Sequence, residues 1–172
     1  MEFQANIVVK PAAVDPIYTP GKEVKSSMEE LLAELAKDPN YNGINENSVP
    51  HRVLIADDAS FIRRSISKIL TSVGYEIAGE AVNGQEAVDK FFELKPNVVT
   101  MDITMPVMGG IEALQEIVKK DRAAKIVMVS AIGYQNMVKE AILKGAKNFV
   151  VKPIKPDNVK TFLKIIKTVS GK

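Results

Sequence analysis

The sequence predicts an α/β fold: a doubly wound, five-stranded parallel sheet with helices on both faces, preceded by an extension carrying one short amphipathic helix. Two observations carry this. From Arg52 onward, β-rich runs alternate five times with amphipathic segments, the pattern of a parallel sheet joined by right-handed crossovers. Several of those runs are almost wholly apolar, as strands are when helices cover both faces of the sheet. The totals agree: 172 residues, 46% hydrophobic and 26% charged, suit an ordinary globule.

The chain divides into 1–50, an acidic extension and linker, and 51–172, the α/β domain. Residues 1–50 carry four lysines against eight carboxylates, whereas 51–172 carry nineteen Lys or Arg against thirteen carboxylates. Opposite signs in the two segments suggest mutual attraction or separate partners. Pro11, Pro16 and Pro20 break up the first 25 residues and leave room for one short strand at NIVVK. In SSMEELLAELAK, Met28, Leu31, Leu32 and Leu35 form one stripe, and Ser27 with Glu30 fits a capping box, so a helix is expected over about 27–37. DPNYNGINENSVP, 38–50, reads as a linker.

Strands are then expected at 52–57, 75–81, 97–102, 125–130 and 148–152. Helices are expected near 59–73, 84–94, 110–121, 134–144 and 157–168. In the first of these, Ile62, Ile66, Ile69, Leu70 and Val73 share a face.

Several function classes drop out. No cysteine means no disulfide or thiolate metal site, and one histidine, His51, cannot build a histidine metal cluster. No apolar run approaches a membrane span and no secretory signal is visible, so a cytoplasmic protein is expected. No nucleic-acid-binding motif stands out.

The chemistry collects at the strand ends. The first strand ends in Asp57-Asp58, the third in Asp102, the fourth in Ser130 and the fifth in Lys152; the second ends near Glu80 and Ala81 with no obvious contribution. In an open parallel sheet these ends share one edge, the edge where such folds bind ligands. A lone Asp after a strand is an ordinary turn or cap residue. Three carboxylates together repel one another and need a compensating charge, for which Mg²⁺ with its preference for oxygen ligands is the natural candidate. Carboxylate, hard cation, hydroxyl and ammonium together suit transfer of a phosphoryl group to an aspartate. On this reading Asp57 and Asp58 hold Mg²⁺ and Asp102 accepts the phosphoryl group.

VLIADDASFIRR, NGQEAV, VVTMDITMPVMGGIEAL, IVMVSA and GAKNFVVKP occur in the right order at the right strand ends. Over about residues 52–168 the chain resembles response-regulator receiver domains, most of all those of the CheY type in chemotaxis. The resemblance implies the flavodoxin-like strand order 2-1-3-4-5. It implies Asp102 as phosphoacceptor and Mg²⁺ held by Asp57, Asp58, Asp102 and the backbone carbonyl of Thr104. It further implies Ser130 as the switch hydroxyl, Lys152 as the phosphate-binding lysine with a cis bond to Pro153, and Phe149 as the switch aromatic. Gly109 departs from the Asp or Asn the family often has there, and Phe149 lacks the hydroxyl of the usual tyrosine.

The implied partners are a sensor histidine kinase, an output partner such as the flagellar motor switch protein, and a phosphatase. Output is expected at a face carrying Lys139, Lys144, Lys147, Lys155, Lys160 and Lys164; the acidic helix is expected either to dock on that face, in the same or a neighbouring molecule, or to be no more than a floppy or merely packing extension. The fifth helix runs nearly to Lys172, so no further output domain is expected. A phosphorelay intermediate is the alternative within the class. An aspartyl-phosphate phosphohydrolase is a weaker rival, because Thr104 stands where that class has its second acid. A flavin protein is disfavoured by the anionic first turn. The protein is expected to lose its phosphoryl group slowly without being a turnover enzyme.

Overall fold

In the computed structural model, residues 27–171 are described; the NIVVK strand expectation lies outside them. Five parallel strands are ordered β2-β1-β3-β4-β5: β1 Arg52–Ala56, β2 Glu76–Ala81, β3 Val98–Met101, β4 Ile126–Ser130 and β5 Asn148–Val151. The helices are α1 Met28–Leu35, α2 Ser60–Ser72, α3 Gly84–Leu94, α4 Gly110–Lys120, α5 Gln135–Leu143 and α6 Val159–Ser170. The doubly wound fold and the strand order implied by resemblance are both present.

Alternation along the strands builds the core. Leu54 and Ala56 of β1, Val99 and Met101 of β3, and Ile126 and Met128 of β4 face α3, α4 and α5. Their neighbours Val53, Ile55, Val98, Val127 and Val129 face the opposite way, toward α2 and α6. These three central strands are therefore apolar on both faces, which explains their continuous runs. Ile66, Ile69, Leu70 and Val73 are buried on the α2 side as their spacing requires.

Helix α1 forms as its sequence prescribes. Ser27 Oγ accepts from Glu30 N at 3.2 Å, and Ser27 N donates to the Glu30 carboxylate at 3.1 Å. Its docking place is not the lysine-bearing face; the helix packs on the domain instead, as the alternative had it. Leu32 and Leu35 are buried in the cluster formed by α2, α6 and the sheet, and Glu29 pairs with Lys68 of α2 at 2.7 Å. The acidic helix thus lies against α2 and leaves the lysine-bearing α5-β5-α6 face alone. Complementary charge did not choose the site; the stripe went where leucines could be buried.

Residues 38–50 form turns pinned at several points. Gly43 N donates to Val73 O at 2.8 Å and His51 N to Gly43 O at 2.7 Å. Lys167 of α6 donates to Ile44 O at 2.6 Å. Gly43 sits so close to Tyr75 that a Cβ there would lie 2.5 Å from its ring and backbone nitrogen.

Candidate phosphoacceptor site

The edge where the strands end carries the pocket. β1 delivers Asp57, and the tight turn into α2 presents Asp58. β3, the next strand over, delivers Asp102. Carboxylate oxygens of the three lie within 4.8 Å of one another. Asp57 and Asp102 are buried, while Asp58 is exposed at the mouth. Lys152, just past β5, reaches back across the edge: its ammonium hydrogen-bonds the Asp57 carboxylate and lies 3.2 Å from Asp102 Oδ2. Its side chain is largely buried, and the Lys152–Pro153 bond is cis, as the resemblance implied.

Local hydrogen bonds set the carboxylates. Asp57 Oδ1 accepts from Ala59 N at 2.9 Å, fixing the first turn of the β1–α2 connection. Asp102 Oδ1 accepts from Ile103 N at 2.8 Å. Each buried carboxylate therefore gives one oxygen to backbone and turns the other toward the ammonium. Gly110 completes the cradle, since a Cβ at this position would fall 1.8 Å from Asp102 O. An all-oxygen donor set with excess negative charge fits a hard divalent cation such as Mg²⁺.

The remaining candidates lie nearby. Ser130 is buried at the end of β4; its Oγ accepts from Ile132 N at 3.4 Å, and its carbonyl accepts from Lys152 N at 2.9 Å. Thr104 is exposed two residues past Asp102. Phe149 does not join the carboxylates: it sits earlier on β5 opposite Met128, half-buried against the α3–α5 side of the core.

One part of the site escaped sequence reading. Strand two does contribute. Glu80 of β2 pairs with Arg63 Nε at 2.7 Å, and Arg63 Nη1 donates to Asp57 O at 2.8 Å and Asp58 O at 3.3 Å. Lys90 of α3 secures Glu80 in turn through its carbonyl at 2.5 Å. Arg63 and Glu80 are positioning residues that hold the backbone of the acidic pair. The available signal was an arginine one turn into the helix that follows the acids, within reach of their carbonyls.

The family comparison covers this same region. The description "response regulator receiver domain" matches residues 53–164. The chemotaxis protein CheY of Thermotoga maritima is 60% identical over 108 residues, 63% of this chain and 90% of that protein. CheY of Bacillus subtilis is 54% identical over 109 residues, 63% of this chain and 91% of that protein. Among solved structures, the CheX-CheY-BeF3-Mg complex from Borrelia burgdorferi superposes with a TM-score of 0.71 at 39% identity, covering 76% of this chain and 97% of that one. Sheet order, an acidic pocket closed by a lysine, and matches running from β1 into α6 lead to one assignment: the chain belongs to the response regulator receiver domain family and is highly similar to CheY chemotaxis regulators.

Proposed function

We propose that this chain is the phospho-accepting regulator of a two-component system in chemotaxis, with Asp102 as acceptor. The observation that carries the reading is the Lys152 ammonium set against Asp102 inside a cluster of three carboxylates. Asp102 Oδ2, the oxygen not bound to backbone, is the nucleophile toward a phosphohistidine on a sensor histidine kinase. Lys152 takes up charge on the phosphoryl oxygens. Asp57, Asp58, Asp102 and the Thr104 carbonyl would hold Mg²⁺, which supplies charge neutralisation at the transferred group. Arg63 and Glu80 keep the acidic pair in place.

The phosphoryl group adds about −1.5 to −2 charge and three acceptor oxygens. Ser130 then turns its hydroxyl from Ile132 toward them. Phe149 moves into the vacated space, and the α5-β5-α6 face changes its preferred partner. The output partner is of the flagellar motor switch kind. A phosphatase ends the signal, and self-hydrolysis is slow. The BeF3- and Mg-bound CheY of B. burgdorferi in complex with CheX supports a partner that engages the loaded state.

Intact mass after incubation with Mg²⁺ and acetyl phosphate tests this. One added phosphoryl group is expected on the native chain, and none on Asp102→Asn or in the presence of chelator. An adduct that persists in Asp102→Asn would overturn the assignment.

A further inference from the structure

We propose that a cleft on the opposite edge of the sheet is a second ligand site, one that takes a nucleoside polyphosphate. The cleft, of about 770 Å³, lies between the flank of α6 and the starting ends of β4 and β5. This volume is within the range of small-molecule sites. Three lysines from three different elements line it: Lys125 before β4, Lys147 before β5, and Lys164 on α6. Each enters from a separate turn or helix, so their convergence is a product of the fold and not of a local charge run.

The charged groups of the cleft's lining are all cationic. Among the described residues no carboxylate lines it. Among the described residues none of the three lysines is ion-paired, whereas Lys68, Lys90, Lys144 and Lys152 are; the Lys125 ammonium donates to Ser170 O at 3.3 Å and keeps its charge uncompensated. Asn148, also in the lining, uses its side-chain oxygen to accept from Phe149 N at 2.8 Å, so its amide N–H groups are the part of the side chain left to donate. Thr161 and Thr168 add hydroxyls, over an apolar floor of Ile165 and Val169.

Those features narrow the ligand. A neutral apolar molecule would desolvate three ammonium groups with no compensating charge. Inorganic phosphate would leave the apolar floor in water. A ligand with several phosphate oxygens at one end and a flat ring at the other meets both demands, and lysine binds phosphate as a point charge. The site is distinct from the phosphoacceptor pocket. Lys125 lies just before β4 and Ser130 at its far end, and Asn148 starts β5 while Lys152 lies just past its far end, roughly 13–16 Å apart at strand rise.

Isothermal titration with ATP in magnesium-free, chelator-containing buffer, paired with amide shift mapping, tests the proposal on the full chain. Expected are saturable one-to-one binding and shifts centred on Lys147, Asn148, Thr161 and Thr168. The triple variant Lys125→Ala, Lys147→Ala, Lys164→Ala should bind at least about tenfold more weakly through loss of charge-assisted contacts. The same variant should keep native circular dichroism and native acetyl-phosphate labelling, which separates loss of the site from loss of fold. Inorganic tripolyphosphate should also bind at least about tenfold more weakly than ATP, because it leaves the floor uncovered. Absence of saturable binding, full retention in the triple variant, or shifts centred on Asp57 and Asp102 would each refute the site. Equal affinity for tripolyphosphate, or displacement of ATP by an acidic helical peptide at lower concentration than ATP itself requires, would refute the ligand class.

Discussion

Val107, between Pro106 and Met108, has φ of 68° and a side chain 85% exposed. Met108 N donates to Pro106 O across it at 2.7 Å, making a three-residue turn with positive φ at its centre, a rare and strained form. A β-branched residue is ill suited to that conformation. Val107→Asn is expected to raise unfolding stability by up to about 1 kcal/mol, read from the urea midpoint at unchanged m-value. His51 makes a second residue-scale prediction. Burial, then the positive charges of Lys167 and Lys125, hold its pKa below the ordinary 6.5. The unfolded chain therefore binds the extra proton more readily, and stability contributed by neutral His51 is present above about pH 6.5 and lost as pH falls below it. Urea midpoints measured from about pH 7 to 5.5 should decline, and His51→Gln should flatten that decline. An unchanged slope in the variant would mean that other groups carry the pH dependence.

At the scale of elements, the approach of α4 to β3 decides the pocket. Gly110 opens α4 with no room for a side chain, whereas Gly109 beside it has φ of −72° and would place a Cβ 3.3 Å from Ile103 O. The two adjacent glycines thus have unequal duties. Gly110→Ala must push α4 from the Asp102 carbonyl; it is expected to cost about 2–3 kcal/mol and to slow acetyl-phosphate labelling in the intact-mass assay. Gly109, the departure from the family pattern, occupies an ordinary conformation, so the loop does not depend on glycine freedom there. The Arg63–Glu80 link belongs to this scale too. It exists because β2 lies next to β1 and because α2 turns Arg63 back over the acidic pair. The place of Arg63 one turn into the helix is legible locally, but its pairing with Glu80 on a different strand is not, which is why the second strand read as a bystander.

Across the whole molecule, α1 and the turns after it make the α2–α6 side thicker than the strands and their crossover helices alone would. Eight residues are too few for a stable isolated helix, so α1 depends on docking. Leu32 is 2% exposed. Leu32→Ala should cost about 2–4 kcal/mol and should accelerate amide exchange in α1 before it does so in the sheet. Exchange that accelerates equally everywhere would show that α1 and the sheet open as one cooperative unit.

By itself the sequence determined the alternation of five strands with five helices, the capped helix before them, and the residues at the strand ends. Those features are local: periodicity, capping and strand length are set by near neighbours along the chain. Parallel pairing follows from the crossovers, so Asp57, Asp58, Asp102 and Lys152 had to share an edge. Only the tertiary structure decided which face α1 covers, that Arg63 and Glu80 brace the acids, and that three lysines far apart in sequence line one cleft. Each of these depends on distances between elements and on how a helix rotates about its axis. Both are set by how side chains fill the space between layers, a property of the packed whole.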